Sequence, residues 1–398
     1  MKHKKLIISL TAVLSVIIIL SIFLIVWFFG DTYKDFEDNF TKEVEIAGLK
    51  DGAVPQGLAN TYQEYEKTDK DGNSVKATQQ YFFTTAYMVD GSPSRIYVTG
   101  EDTGYIGWVT MVNTDGTPYL GHCGGIATNG SYLWVTGEGT VYVAKASEGY
   151  TNVAQEIIKK AGAESEKTVK FTSTFNANGG ADFCYFYDSP DSSSYDRLYV
   201  GEFHKKGTDY ETEENHRMTT PNGYENVALA YEYNVNSQEP YGLNVITDSI
   251  VEGENRVPRI QKIFSLPEKV QGFARIKNTL ALSQSYGLSN SNVLTFDFNK
   301  TIANGNSETF TKITGFNFEY KGITTKNGGK FTDKNIRVYY ADKNNEELLL
   351  NDYSIPSMSE GLCGSGNKVY VLFESAGKKY NKFVRQQTKH IYSFRVRN

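Results

Sequence analysis

Cysteine is scarce in this chain: Cys123, Cys184 and Cys363 are the only three among 398 residues. An odd number without close spacing argues against a disulfide framework and against a cysteine-built zinc site. All three sit in apolar, strand-like surroundings, where a free thiol behaves as a small hydrophobe. Only Cys123, beside His122, has a neighbour able to activate a thiolate. Proline is equally sparse, at nine residues, so the regular structure has few forced breaks. Charge of one sign is lacking too. The formal net charge is −5, with acids and bases interspersed, and there is no basic stripe of the kind that holds nucleic acid. The catalytic signatures that a short pattern can reveal are also absent: there is no nucleophile elbow, no phosphate loop and no histidine pair at zinc spacing.

What is abundant points to β structure. The chain carries 28 Tyr, 23 Phe and 36 Gly, a composition suited to many short strands joined by tight turns.

One hydrophobic run stands apart from the rest. Residues 6–29 carry no charge and consist mostly of Leu, Ile, Val and Phe. As a helix, about 24 residues at 1.5 Å each reach roughly 36 Å, enough to cross a bilayer's hydrocarbon core. The run is too long for a signal peptide's apolar region, and it ends in Trp27-Phe28-Phe29-Gly30 without a small-residue cleavage pattern. Lys2, Lys4 and Lys5 precede it, while Asp31, Asp35, Glu37 and Asp38 follow. That asymmetry places the N-terminus in the cytoplasm and the remainder outside the cell. The expected organisation is a cytoplasmic tail over 1–5, a transmembrane helix over 6–29 and a polar stalk over 30–42. An extracellular domain over 43–398 follows, which puts the protein at the cell membrane.

A short motif recurs in that domain, a glycine followed by an apolar and a small residue. It reads Gln56-Gly57-Leu58-Ala59, Gly124-Gly125-Ile126-Ala127, Gly179-Gly180-Ala181, Gln271-Gly272-Phe273-Ala274 and Glu360-Gly361-Leu362-Cys363. After each copy comes an apolar second strand, beginning at Arg95, Tyr132, Arg197, Leu280 and Val369. Third strands follow at Val141, Val227, Val293 and His390, and fourth strands at Val169, Arg259 and Glu347. Four strands per unit is the construction of a propeller blade. The fifth unit has only three strands before the chain ends. The alternating segment from Glu43 to Leu49 can supply the fourth and close the ring. The expected fold is therefore all-β: a five-bladed β-propeller ectodomain closed by N- and C-terminal strands and preceded by one transmembrane helix. Glycine suits the motif because innermost strands crowd around the axis.

The rhythm is broken twice. Residues 151–163 predict a short amphipathic helix capped by Asn152. Residues 204–226 form a long polar loop, a type of segment that often carries function. Asp69-Lys70-Asp71-Gly72-Asn73 has the look of a calcium loop, but its glycine comes too early and Gln80 stands where a bidentate Glu belongs. It reads as a hairpin turn.

Candidate chemistry gathers at the axis. Gln56, Gly124, Gly179, Gln271 and Glu360 precede the motif glycines, so their side chains converge where a polar ligand or a cation could sit. They could equally bond to one another or to channel water. A second ring is possible where the second strands end, from Glu101, Glu138, Glu202, Gln284 and Glu374, with orientation set by a register that one residue reverses. His122 stands two residues before Gly124, and His204 closely follows Glu202. A histidine beside carboxylates can act as an acid, a base or a metal ligand, or simply hydrogen-bond. The ligand-binding candidates are thus Gln56, His122, Gln271, Glu360, Glu202 and His204. Glu213, Glu214, His216 and Arg217 read as solvated charge.

The segments VQGFARIKNTLALSQSYG and MSEGLCGSGNKVYVLFES resemble a largely uncharacterised group of membrane-anchored or secreted bacterial β-propeller proteins. More distantly, the chain is similar to the gluconolactonase and phytase-like propellers. The second resemblance implies lactonase or phosphoesterase activity at an axial divalent cation such as calcium, with Glu360 as the residue matching its carboxylate ligand. Five-bladed glycosidases are a further analogy, and they need several acids near the axis, where these motifs place one. The leading functional expectation is a ligand-binding or scaffolding module at the cell envelope, meeting a polysaccharide, peptide or protein. The alternative is a metal-dependent hydrolase with an axial site.

Overall fold

A computed structural model describes residues 13, 15–21, 33–178, 180–246, 257–304, 318–324, 330–333 and 336–396. Strand pairing builds five blades, most of them antiparallel throughout. The first contains Ala53–Thr68, Ser74–Met88, Arg95–Gly100 and Gly104–Val112. The second contains Gly125–Thr128, Tyr132–Gly137, Thr140–Lys145 and Ser173–Asn176. In the third, Phe183–Tyr187, Arg197–Gly201, Ala228–Asn234 and Ile260–Leu266 lie side by side, and Arg337–Tyr340 adds a parallel outer strand. The fourth comprises Val270–Ile276, Thr279–Gln284, Ser291–Asp297 and Leu349–Ile355.

The last blade joins the two ends of the chain. Ser359–Ser365, Lys368–Phe373 and His390–Arg395 come from the C-terminal side. Their fourth partner is Phe40–Glu45, paired antiparallel with Phe40 opposite Phe394 and Glu45 opposite His390. The five innermost strands touch in cyclic order, the first blade meeting both the second and the fifth. Each blade thus packs on two neighbours, and closure pairs the edge that His390–Arg395 would otherwise leave open.

Glycine is used here for proximity. A Cβ on Gly57 would lie 2.8 Å from backbone atoms of Gly125 and Ile126, and one on Gly125 would lie 2.3 Å from the amide nitrogen of Cys184. Gly272 and Gly361 stand equally close to the next blade's backbone. The third blade departs from this rule. Its inner strand begins at Phe183, which occupies the place of the motif glycine by pairing with Gly201, so the third copy expected at Gly179-Gly180-Ala181 is displaced. Gly179 itself lies outside the described residues, and the position before the displaced glycine is held by Asp182.

Two further expectations are corrected. In the first blade a whole strand, Ser74–Met88, intervenes before Arg95, because the first two strands form a long hairpin that runs on past the blade and turns at Asp69. The Asp69 carboxylate accepts the amides of Asp71 and Asn73, which makes this segment the turn expected in place of a calcium loop. The strand at Val169 belongs to the first blade and not to the second: Thr168–Lys170 pairs in parallel with Gly104–Val112. The reason is the intervening helix, Val153–Gly162. It buries Val153, Ala154, Ile157 and Ala161 in one cluster with Ile96, Val98, Val109 and Met111, carrying the chain back to the first blade's outer edge. Asn152 caps it, accepting from the amides of Ala154 and Gln155, as the sequence predicts.

Ahead of the closing strand, a short helix, Lys34–Asn39, lies against the propeller. Phe36 is buried between Phe40, Phe373 and Tyr392, with ring centroids 5.0, 5.9 and 4.7 Å away. The described part of the segment expected as a stalk is therefore docked. Among the described residues no helix is long and apolar enough to cross a membrane. The expected span over 6–29 lies outside them except for residue 13 and residues 15–21. Those eight are helical, and residues 16–20 are half or more exposed.

Candidate functional site

Each inner strand starts on one face of the ring and ends on the other, so the axis has two mouths. On the starting face a cavity of about 680 Å³ is lined by Gln56, His122, Gly124, Asp182, Gln271 and Glu360, among others. All five blades contribute through the residue preceding the innermost turn of strand. Gln56, His122, Gln271 and Glu360 thus come together as the sequence predicts. Asp182 takes the place expected of Gly179, so the axial set holds two amides, two carboxyl groups and one glycine.

The second ring divides. Glu374 and Glu138 reach this mouth, whereas Glu101 stays exposed at the far rim. Gln284 turns outward, donating to the Glu268 carbonyl at 2.7 Å. Glu374 ends the strand next to that of Glu360, and the two carboxyl groups hydrogen-bond each other. Burial holds Glu360 well above the usual carboxylate range, and the Glu374 charge adds to the effect. Glu374 is pushed up to about 7, again mainly by burial, against the pull of Lys379, Gln56 and Glu360. Two buried carboxyls this close cannot both ionise, so they keep at least one proton between them. Gln56 completes the group: its Nε2 donates to Glu374 Oε2 at 3.0 Å. Across the mouth, Asp182 is raised to about 6 by burial, and its Oδ2 accepts the Phe203 amide at 2.7 Å.

Aromatic rings form two walls. On one side Tyr87 lies 4.3 Å from the His122 ring, centroid to centroid, and its hydroxyl is 3.4 Å from that of Tyr380. Lys379 Nζ donates to the Tyr87 hydroxyl at 2.7 Å. Burial, and then the Lys379 charge, push the His122 imidazole below its ordinary value, favouring the neutral ring. On the other side Phe203 packs edge-on to Tyr210 at 5.5 Å and stacks near Tyr286 at 6.3 Å. Glu138 and Met358 at the rim have φ of 53° and 64°, a left-handed backbone unfavourable for side chains with a Cβ.

The remaining two candidates lie elsewhere, in a network that pins the 204–226 loop. Glu202 is buried, with one oxygen accepting the Tyr231 hydroxyl at 2.7 Å and lying 2.8 Å from His216 Nδ1. His216 is therefore a buried partner rather than solvated charge. His204 Nδ1 accepts the Thr212 amide at 3.1 Å, tying the base of the same loop. Neither Glu202 nor His204 faces the mouth.

Cys123 is fully buried, and burial pushes its thiol up to about 12, which removes the activated thiolate suggested by its neighbour His122. A metal fits the mouth no better. Among the described residues no three His, Cys, Asp or Glu side chains converge as a donor set, and Glu360 is already engaged by Glu374. The opposite mouth, of about 530 Å³, is lined by Asn60, Tyr62, Asn129, Asp188, Arg275 and Lys277, among others.

No protein-family model matches this chain, and no curated protein does either. Among solved structures, the computationally designed Ika8 protein aligns over 89% of this chain and 99% of its own length, at 9% identity and a TM-score of 0.28. Kluyvelomyces marxianus Hsv2 aligns over 78% of this chain and 88% of its own, at 7% identity and a TM-score of 0.26. Likenesses this loose leave the five-bladed fold resting on the strand pairing described above. A propeller with an open, polar-lined mouth is suited in general to holding a ligand or a scaffold partner.

Proposed function

We propose that this chain is a membrane-tethered, extracytoplasmic propeller that binds a neutral, hydroxyl-rich ligand of the cell envelope, such as a saccharide unit, in the wider axial mouth. The observation that carries this reading is the convergence of Gln56, Asp182, Gln271 and Glu360, each from a different blade, beside Glu374 and two aromatic walls. Amides, phenols and a protonated carboxyl offer both donors and acceptors, and ring faces give a sugar's apolar side somewhere to rest. An anion would meet Glu138, Asp182 and the shared charge of Glu360 and Glu374, while Lys379 is engaged with Tyr87.

The tether rests on the uncharged run over 6–29, the lysines before it and the acids after it. The exposed apolar side chains at 16–20 suit a lipid environment. If the reading holds, the full chain leaves membranes with detergent but not with alkaline carbonate. Release by carbonate would remove the tether.

A hydrolase is the second reading, favoured by one observation: Glu360 and Glu374 offer a proton donor and a proton acceptor in one mouth. Thermal-shift titration of the detergent-solubilised full chain against neutral, cationic and anionic saccharides tests both. A stabilising neutral saccharide whose effect disappears in Gln271→Ala supports binding, and its breakdown by the wild type but not by Glu374→Gln supports catalysis. Stabilisation by anionic saccharides alone would overturn the ligand class.

A further inference from the structure

The chain enters the propeller on the same face as the wider mouth. Tyr33, the first residue of the continuous described segment, donates its hydroxyl to Asn290 Oδ1 at 3.1 Å, and the Arg385 guanidinium lies 5.6 Å from its ring centroid. Asn290 belongs to the turn between Thr279–Gln284 and Ser291–Asp297. Arg385 belongs to the loop between Lys368–Phe373 and His390–Arg395. Both connections lie on the mouth's face, to which they contribute Tyr286 and Tyr380. From Tyr33 the helix Lys34–Asn39 descends toward the opposite face, where Phe40 pairs with Phe394, carrying Asp35, Glu37 and Asp38 away with it.

The loop beside Tyr33 has an unusual composition. Between Ser375 and His390 it carries Lys378, Lys379, Lys382, Arg385 and Lys389 and no acid. Phe383 at its crest is 66% exposed, and Leu288 in the neighbouring turn is 42% exposed. Lysines around protruding apolar side chains are the chemistry of a surface that meets anionic headgroups and dips into the interface. Chain length makes the meeting unavoidable if the run over 6–29 crosses the bilayer. Only three residues lie between Phe29 and Tyr33, and the four steps, fully extended, span at most about 14 Å.

We propose that the propeller lies on the outer leaflet mouth-down, with the loop over 376–389 and Leu288 against anionic lipid headgroups and the axial mouth opening toward the bilayer. This rests on the tether reading above and adds the orientation and the lipid chemistry. The ligand of the mouth is then one presented at the membrane surface.

Lysine acylation of the full chain, reconstituted in vesicles of phosphatidylcholine alone or mixed with phosphatidylglycerol and read by mass spectrometry, tests it. Lys67, Lys70 and Lys76 on the protruding hairpin at the far face serve as references and report folding. In the mixed vesicles Lys378, Lys382 and Lys389 should label at least about fivefold more slowly than in detergent, with the references unchanged. Lys382→Glu combined with Lys389→Glu should restore the rate at Lys378. A chain that floats with vesicles yet labels equally fast on both faces overturns the orientation and leaves the tether standing. Equal protection in both lipids overturns the anionic recognition. A chain that does not float removes the tether and this proposal together.

Discussion

Gln56 Nε2 donates to Glu374 Oε2 at 3.0 Å across the seam where the first blade meets the last. The two residues are 318 apart in the chain, so the bond exists only when the ring is closed. It also holds one member of the carboxyl pair at the mouth, which makes ring closure and site assembly a single event.

The pair gives stability a definite pH dependence. Glu374 is raised from 4.5 to about 7 in the fold, so the native state keeps a proton that the unfolded chain releases. Its contribution is complete below the ordinary carboxylate range and is lost as pH rises through about 7. Chemical denaturation of the wild type should show stability falling between pH 5 and 8, with up to about 3 kcal/mol of the loss carried by Glu374. Glu374→Gln should remove that share and leave the shallower slope of Asp182 and Glu360, which burial also raises. Parallel pH slopes in both proteins would refute the shared proton.

Close approach at the axis is tested with alanine. A Cβ at Gly125 would lie 2.3 Å from a neighbouring blade's backbone, whereas one at Gly149 (φ +88°) meets nothing within 4 Å. Gly125→Ala should cost about 3 kcal/mol through overpacking, and Gly149→Ala only about 1 kcal/mol through backbone strain. Equal midpoints for the two variants would show that the axial glycines are not under contact.

Closure depends on aromatic packing below Tyr33. Phe36→Ala removes a buried ring from among Phe40, Phe373 and Tyr392, which should cost about 3 kcal/mol. Amide exchange in His390–Arg395 should accelerate first, because its outer partner is the strand that Phe36 anchors. Unchanged exchange there would mean that the helix merely rests on the surface.

The thiols should be silent. Cys123, Cys184 and Cys363 are buried and free, and burial raises all three above the ordinary thiol range. A thiol-specific reagent at pH 8 should modify none of them in the native protein and all of them in denaturant. A fast native reaction at Cys123 would reopen its case as a nucleophile.

Much of this architecture can be read from residue order, because blades are built from local hairpins whose strands alternate and whose crowded inner strands need glycine. The closing strand and the Asn152-capped helix were legible for the same local reasons. Asp182 was not. Its strand carries Phe183 where the others carry glycine, while Gly179 and Gly180 stand just upstream as a decoy; the run Phe183-Cys184-Tyr185-Phe186-Tyr187 was the better strand signal. The long hairpin over Ala53–Met88 hid a strand because its extension past the blade resembles loop. The pairing of Glu360 with Glu374, and the burial of His216 against Glu202, depend on which way strand ends and a distant loop face, which no local pattern encodes.

The central claim is that the wider axial mouth is the ligand site. The direct measurement is calorimetric titration of the full chain with the neutral saccharide found by thermal shift, in Gln56→Ala combined with Gln271→Ala and separately in Asn60→Ala combined with Asn129→Ala at the opposite mouth. The account predicts at least about a tenfold loss of affinity in the first variant, as two hydrogen bonds of about 1 kcal/mol each would give, and no change in the second. Unaltered affinity in the first, or loss confined to the second, would contradict it.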